Sequence, residues 1–133
     1  MAADTSDDSR DGGTAGGRRF AVAARRIGGT TVLSLTGELD HDTVEPLRAT
    51  LAEQIAEAPE RIVVDCAALR FCDSTGLNAL LRARAAASQT TGAGIELVAL
   101  QPPVARMFEI TGADAVFRIH SDLGQALAGR PPE

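Results

Sequence analysis

Apolar and polar positions change period several times along the chain, and each change marks an element. Phe20 to Arg26 has the composition of a first strand, and Gly28-Gly29 reads as a turn. Thr31-Val32-Leu33-Ser34-Leu35-Thr36 is a β-rich run that Gly37 ends. Two strands joined by so short a turn predict a hairpin. Val44, Leu47, Leu51 and Ile55 then recur at helical spacing and form one stripe. Asp42 or Thr43 is the expected N-cap of that helix. Glu45 stands three residues after Asp42 as in a capping box, and Pro46 falls in the first turn, where it is tolerated. Ala58-Pro59 ends the helix.

Arg61-Ile62-Val63-Val64-Asp65-Cys66 is a compact apolar run bounded by charge, as expected of a strand covered on both faces. A second helix is predicted from about Ser74 to Gln89, with Leu77, Leu80 and Leu81 inward and Gly92-Ala93-Gly94 breaking it. Ile95 to Leu100 is another strand. Pro102-Pro103 starts a short helix carrying Val104, Met107 and Phe108, and Gly112 suits its C-terminal stop. Val116 to Ile119 is a last short strand, and Ser121 or Asp122 caps a terminal helix through Ala128. The order β-β-α-β-α-β-α-β-α implies an α/β sandwich, with parallel pairs from the third strand onward.

Residues 1–17 are rich in Gly, Asp, Ser and Thr and carry four aspartates against one arginine. Such a segment cannot bury enough apolar surface to offset its ordering entropy, so it reads as a disordered acidic tail. The domain is expected over 18–129, with 130–133 as a frayed terminus. The 133 residues, 44% of them apolar, suffice for one domain with a modest core. Four phenylalanines and no Trp or Tyr make that core aliphatic. The net charge of −5 argues against direct nucleic-acid binding. No apolar run approaches the roughly 20 residues that span a membrane, and Met1 to Arg10 does not have the plan of a signal peptide. A cytoplasmic protein is the expectation. Cys66 and Cys72 are then reduced, and their spacing fits neither a zinc site nor a thioredoxin motif.

Two loop stretches could carry chemistry. Asp73-Ser74-Thr75-Gly76 lies where the chain enters a helix. Asp, Ser and Thr are ordinary N-cap residues, so capping alone accounts for them. Equally, a helix N-terminus stabilises a phosphate, and an exposed Ser hydroxyl there can meet a kinase. The residue types leave both readings open. A nucleophilic Ser74 would need a base and an orienting acid, and the only histidines are His41 and His120. The second stretch is Thr36-Gly37-Glu38-Leu39-Asp40-His41-Asp42-Thr43. Its carboxylates and imidazole could suggest a metal, but no spaced ligand set completes a site.

Taken together, Thr36-Gly37-Glu38-Leu39-Asp40-His41, Cys72-Asp73-Ser74-Thr75-Gly76-Leu77 and Arg106-Met107-Phe108-Glu109-Ile110-Thr111-Gly112 resemble the anti-sigma factor antagonists of the STAS domain family. The resemblance covers about residues 20 to 128. It implies a STAS-like single α/β domain, a mixed five-stranded sheet with about four helices packed mainly on one face. It implies partner switching rather than enzymatic activity: the unphosphorylated antagonist binds an anti-sigma factor, which releases its sigma factor. That anti-sigma factor is commonly a Ser/Thr kinase, and a Ser/Thr phosphatase resets the antagonist. No cofactor, nucleic acid or membrane enters. By position the phosphoacceptor is Ser74, ahead of Thr75. Asp40, His41, Asp73, Thr75 and Gly76 surround it and meet the partner. Asn78 stands where Gly is common, and Cys72 where Met or Leu is common, which keeps a minor thiol-redox hypothesis open. Rival readings are a non-switching STAS scaffold of a transporter or sensory complex, and a small thiol enzyme.

Overall fold

In the computed structural model, which describes residues 19–129, the hairpin pairs β1 (Phe20–Ile27) antiparallel to β2 (Thr30–Leu39). The tail and terminus readings, 1–17 and 130–133, lie outside the described residues. The chain continues through α1 (Val44–Ala56), β3 (Arg61–Cys72), α2 (Ser74–Thr90) and β4 (Gly94–Val98). It ends in α3 (Pro102–Thr111), a 3-10 turn (Ala113–Ala115), β5 (Arg118–His120) and α4 (Leu123–Ala128). The sheet order is β1-β2-β3-β4-β5, with β2 through β5 parallel.

Strand alternation sorts side chains to two faces. Leu33 and Leu35 of β2, Ile62 and Val64 of β3, and Ile95 and Leu97 of β4 pack with α1, α2 and α3 in one core. Val63 and Val98 point the other way and meet Ala126 and Leu123 of α4. Three helices thus cover one face and the last helix covers part of the other, as the resemblance implied. Phe108 and Phe117 supply the one close aromatic contact among the described residues, with ring centroids 6.0 Å apart.

Beneath α4 lies a buried charged network. Arg61 and Glu96 each keep only 3% of their side chain exposed and are joined by two hydrogen bonds of 3.0 and 2.6 Å. Arg61 also donates to the carbonyls of Ala126 and Gly129, which end α4. His120 Nε2 lies 2.8 Å from Glu96 Oε1. Burial opposes the charge of Glu96, but the hydrogen bonds from Arg61 and His120 outweigh it and hold the carboxyl below its ordinary range. The sequence reading placed Arg61 at the charged boundary of a strand; the fold buries it.

Several boundaries differ from expectation. β2 runs past Gly37 to Leu39. Gly37 adopts φ +98°, and a Cβ there would meet the Arg19 carbonyl oxygen at 1.9 Å. That glycine marks a close backbone approach within the strand rather than its end. β3 continues beyond Cys66 to Cys72, through two register shifts against β2. β4 stops at Val98 and β5 is displaced to Arg118–His120. The Asp42–Glu45 capping box does not form. Thr43 is the N-cap of α1 without a side-chain cap bond, because its hydroxyl instead donates to the Glu38 carbonyl at 2.9 Å. Gly112 does stop α3, at φ +81°, and Asp122 caps α4 by accepting from the Gln125 amide.

Candidate functional site

The two register shifts in β3 bring its end level with that of β2. Leu39 pairs with Cys72, and the Asp73 amide donates to the Leu39 carbonyl at 3.1 Å. The two stretches singled out in the sequence therefore sit side by side at the C-terminal edge of the parallel strands. Such edges collect functional loops in α/β sheets.

Asp73 is the N-cap of α2, in extended conformation. Its Oδ1 accepts from the amides of Thr75 at 2.9 Å and Gly76 at 3.2 Å. The next residue, Ser74, opens the helix and is exposed, while Thr75 is half-buried. Of the two neighbouring hydroxyls, Ser74 is therefore the more accessible to another protein. Gly76 is buried: a Cβ there would meet Leu39 Cγ and Cδ2 at 2.6 Å and Cys72 Sγ at 3.0 Å. The glycine lets the first turn of α2 close onto the end of β2. Asn78 is exposed and does not disturb that contact.

On the neighbouring loop, the Asp40 carboxylate accepts from the Asp42 amide at 2.9 Å and from Arg19 at 3.1 Å. Burial works against its charge, but these bonds and the Arg19 charge hold the carboxyl below its usual range. Arg19 also reaches Glu38 at 3.8 Å and Asp42 at 3.9 Å. It is the central cation of an acidic rim, and the sequence reading missed it. No periodic signal marks an arginine that pairs 21 positions away. His41 is exposed, with Nε2 3.4 Å from Asp42. Neither histidine hydrogen-bonds Ser74, since His120 sits on Glu96. Among the described residues no three His, Cys, Asp or Glu side chains converge on a metal position, and no helix is long and apolar enough to cross a membrane.

Both cysteines are buried free thiols. Burial, and then the nearby Asp73 carboxylate, push the Cys72 thiol up to about 12. Burial raises Cys66 as well. Neither is a poised nucleophile. On the other side of Ser74, the hydroxyl shares a groove with Pro103, Arg106, Met107, Ile110 and Thr111 of α3. Ile110 is 77% exposed there, an unusual position for a large apolar side chain.

A family model described as "Mlab, STAS domain" matches residues 22–123. The anti-sigma-F factor antagonist RsfB of Mycobacterium tuberculosis is 35% identical over 103 residues, spanning 76% of this chain and 81% of that protein. A crystal structure of an anti-sigma factor antagonist from Mycobacterium paratuberculosis superposes with a TM-score of 0.76 at 28% identity, covering 82% of this chain and 92% of that one. The unphosphorylated form of the antagonist SpoIIAA gives a TM-score of 0.69 at 27% identity, covering 80% of this chain and 93% of its own. The phosphorylated form of SpoIIAA, from Bacillus, gives 0.65 at 25%, covering 81% and 97%. The matched span runs from β1 into α4 and includes both stretches that meet at Asp73. The chain belongs to the STAS-domain family of anti-sigma factor antagonists.

Proposed function

We propose that this protein binds an anti-sigma factor while Ser74 is unmodified and is released when Ser74 is phosphorylated, thereby controlling sigma-factor-dependent transcription. The observation that carries the reading is the placement of Ser74. It is an exposed hydroxyl on a fixed strand–helix junction, between an acidic rim and an apolar groove. The solved SpoIIAA forms support it, since that relative exists both unphosphorylated and phosphorylated. The anti-sigma factor is itself the Ser/Thr kinase, a Ser/Thr phosphatase restores the hydroxyl, and the exchange takes place in the cytoplasm. The protein is a substrate and ligand in this cycle, not an enzyme, and needs no cofactor.

Phosphate adds about −1.5 to −2 charge at the centre of the contact face. The partner must then accept a concentrated negative patch beside Asp40 and Asp73. A cost of about 3 to 4 kcal/mol weakens binding several-hundredfold, at about 1.4 kcal/mol per decade. The fold itself does not need to change. The test is to incubate the protein with its cognate kinase and ATP and map the product by mass spectrometry. Phosphate at Ser74 is expected; phosphate found only elsewhere would sink the assignment.

A further inference from the structure

The first turn of α2 offers a phosphate on Ser74 less than a bare helix N-terminus would. The amides of Thr75 and Gly76 already donate to Asp73 Oδ1, so the carboxylate holds the donors an anion would otherwise take. Toward β2 the cation of the acidic rim, Arg19, is already shared among Glu38, Asp40 and Asp42. A doubly charged group on Ser74 needs a counter-charge from another direction. One cation lines the same groove as Ser74, and that is Arg106 of α3. Among the described residues no carboxylate pairs with it; the ion-paired arginines are Arg19, Arg26, Arg48, Arg61 and Arg70. Val104 and Phe108, both 1% exposed, anchor α3 in the core and fix where Arg106 stands. The rest of the groove is largely apolar, with Pro103, Met107 and Ile110 in its lining. Arg106 is exposed and free to turn toward the groove, and its fork geometry matches phosphate oxygens.

We propose that Arg106 is the internal counter-ion of phosphate on Ser74, and that the pair bridges α2 and α3 and covers the groove floor at Met107. The inference rests on reading Ser74 as the phosphoacceptor and adds how the chain itself answers the new charge. The modified protein thereby withdraws an apolar contact surface as well as presenting an anion.

To test this, phosphoserine is installed at position 74 by genetic-code expansion, so the measurement decides the Arg106 pairing whatever the kinase assay gives. Phosphorus-31 NMR then follows the second ionisation of the phosphate with pH. An unpaired phosphoserine titrates near about 6. The paired group is expected lower, and Arg106→Gln is expected to raise it by about 0.5 or more, as loss of a close opposite charge does. Arg106→Lys restores part of the difference, because it keeps the charge but loses the fork. Arg82→Gln, which alters a cation lining a different groove between α1 and α2, leaves the titration in place. The Arg106 Nε–H resonance and the Met107 methyl move when position 74 carries phosphate, and the methyl shift vanishes in Arg106→Gln. Identical phosphate titrations in the wild type and Arg106→Gln, or an Arg106 resonance unmoved by the phosphate, would overturn the proposal.

Discussion

The Asp73 amide donates to the Leu39 carbonyl at 3.1 Å, and this bond ties the two loops of the candidate site into one surface. Leu39 is fully buried, so the tie rests on the core rather than on the loops. Gly76 completes it from the helix side, since any Cβ there would strike Leu39 and Cys72. A contact surface tied to the core in this way has less to order when a partner arrives, which limits the cost of binding.

Gly76→Ala therefore tests the junction. In an open helix the exchange would stabilise by about 1 kcal/mol through backbone entropy. Here the added methyl lies 2.6 Å from the side chain of Leu39, which is fully buried, so overpacking is expected to cost about 1 to 3 kcal/mol and reverse the sign. Urea unfolding reads the result as a lowered midpoint. A variant as stable as the wild type would show that the contact relaxes freely.

Ser74→Ala should hold the anti-sigma partner with the affinity of the unmodified protein and keep it after incubation with kinase and ATP. Ser74→Asp should bind about tenfold more weakly, a smaller loss than phosphate causes, because one carboxylate carries less charge and fewer acceptor oxygens. Thr75→Val should still take up phosphate. Titration calorimetry with the purified partner separates these cases. Loss of binding in Ser74→Ala would mean that the hydroxyl is itself an essential contact.

The element order was legible because buried stripes such as Val44, Leu47, Leu51 and Ile55 repeat at helical spacing. Where the pattern broke, so did the reading. β3 continues past Cys66, but its two bulges leave Ala67, Ala68, Arg70 and Phe71 exposed around buried Leu69 and Cys72, and no period of two survives. Gly37 did carry a usable signal, since a glycine inside a strand pattern often marks a bulge or a close backbone approach. At the site, the helix N-terminus offered Ser74 with two readings open, and family likeness chose between them and gave Asp40 its role, while Arg19 was invisible as a partner and Arg106 as a neighbour of Ser74. Their significance depends on which elements pack together, and local spacing does not encode that.

Glu96→Gln should be among the costlier single changes. It leaves the Arg61 guanidinium buried without its counter-charge, at a loss of about 3 to 5 kcal/mol. Replacing both partners by apolar residues, as Arg61→Met with Glu96→Leu, should recover much of that loss. The pH dependence has a definite sign. The folded carboxyl lies below its ordinary value of 4.5, so its contribution is fully present above that value and is lost as pH falls toward the folded pKa. The stability gap between wild type and Glu96→Gln, from urea midpoints, should narrow as pH falls below about 5. A gap that stays constant down to about pH 3 would contradict the assignment.

Cys72 stands against the end of β2 and under the first turn of α2, and its thiol, pushed up to about 12, is protonated throughout the physiological range. At pH 8 the thiolate is a very small fraction of the buried side chain, whereas an exposed cysteine carries it in roughly a quarter of molecules. Burial at 3% exposure slows attack further, so alkylation should proceed through opening of the fold. Iodoacetamide should label Cys72 and Cys66 slowly in buffer and rapidly in urea. The native rate should follow the opening equilibrium, and Gly76→Ala should raise it in proportion to its lost stability. A fast native reaction that titrates near neutral pH would instead reveal an activated thiol, and would return the redox reading of Cys72 to contention.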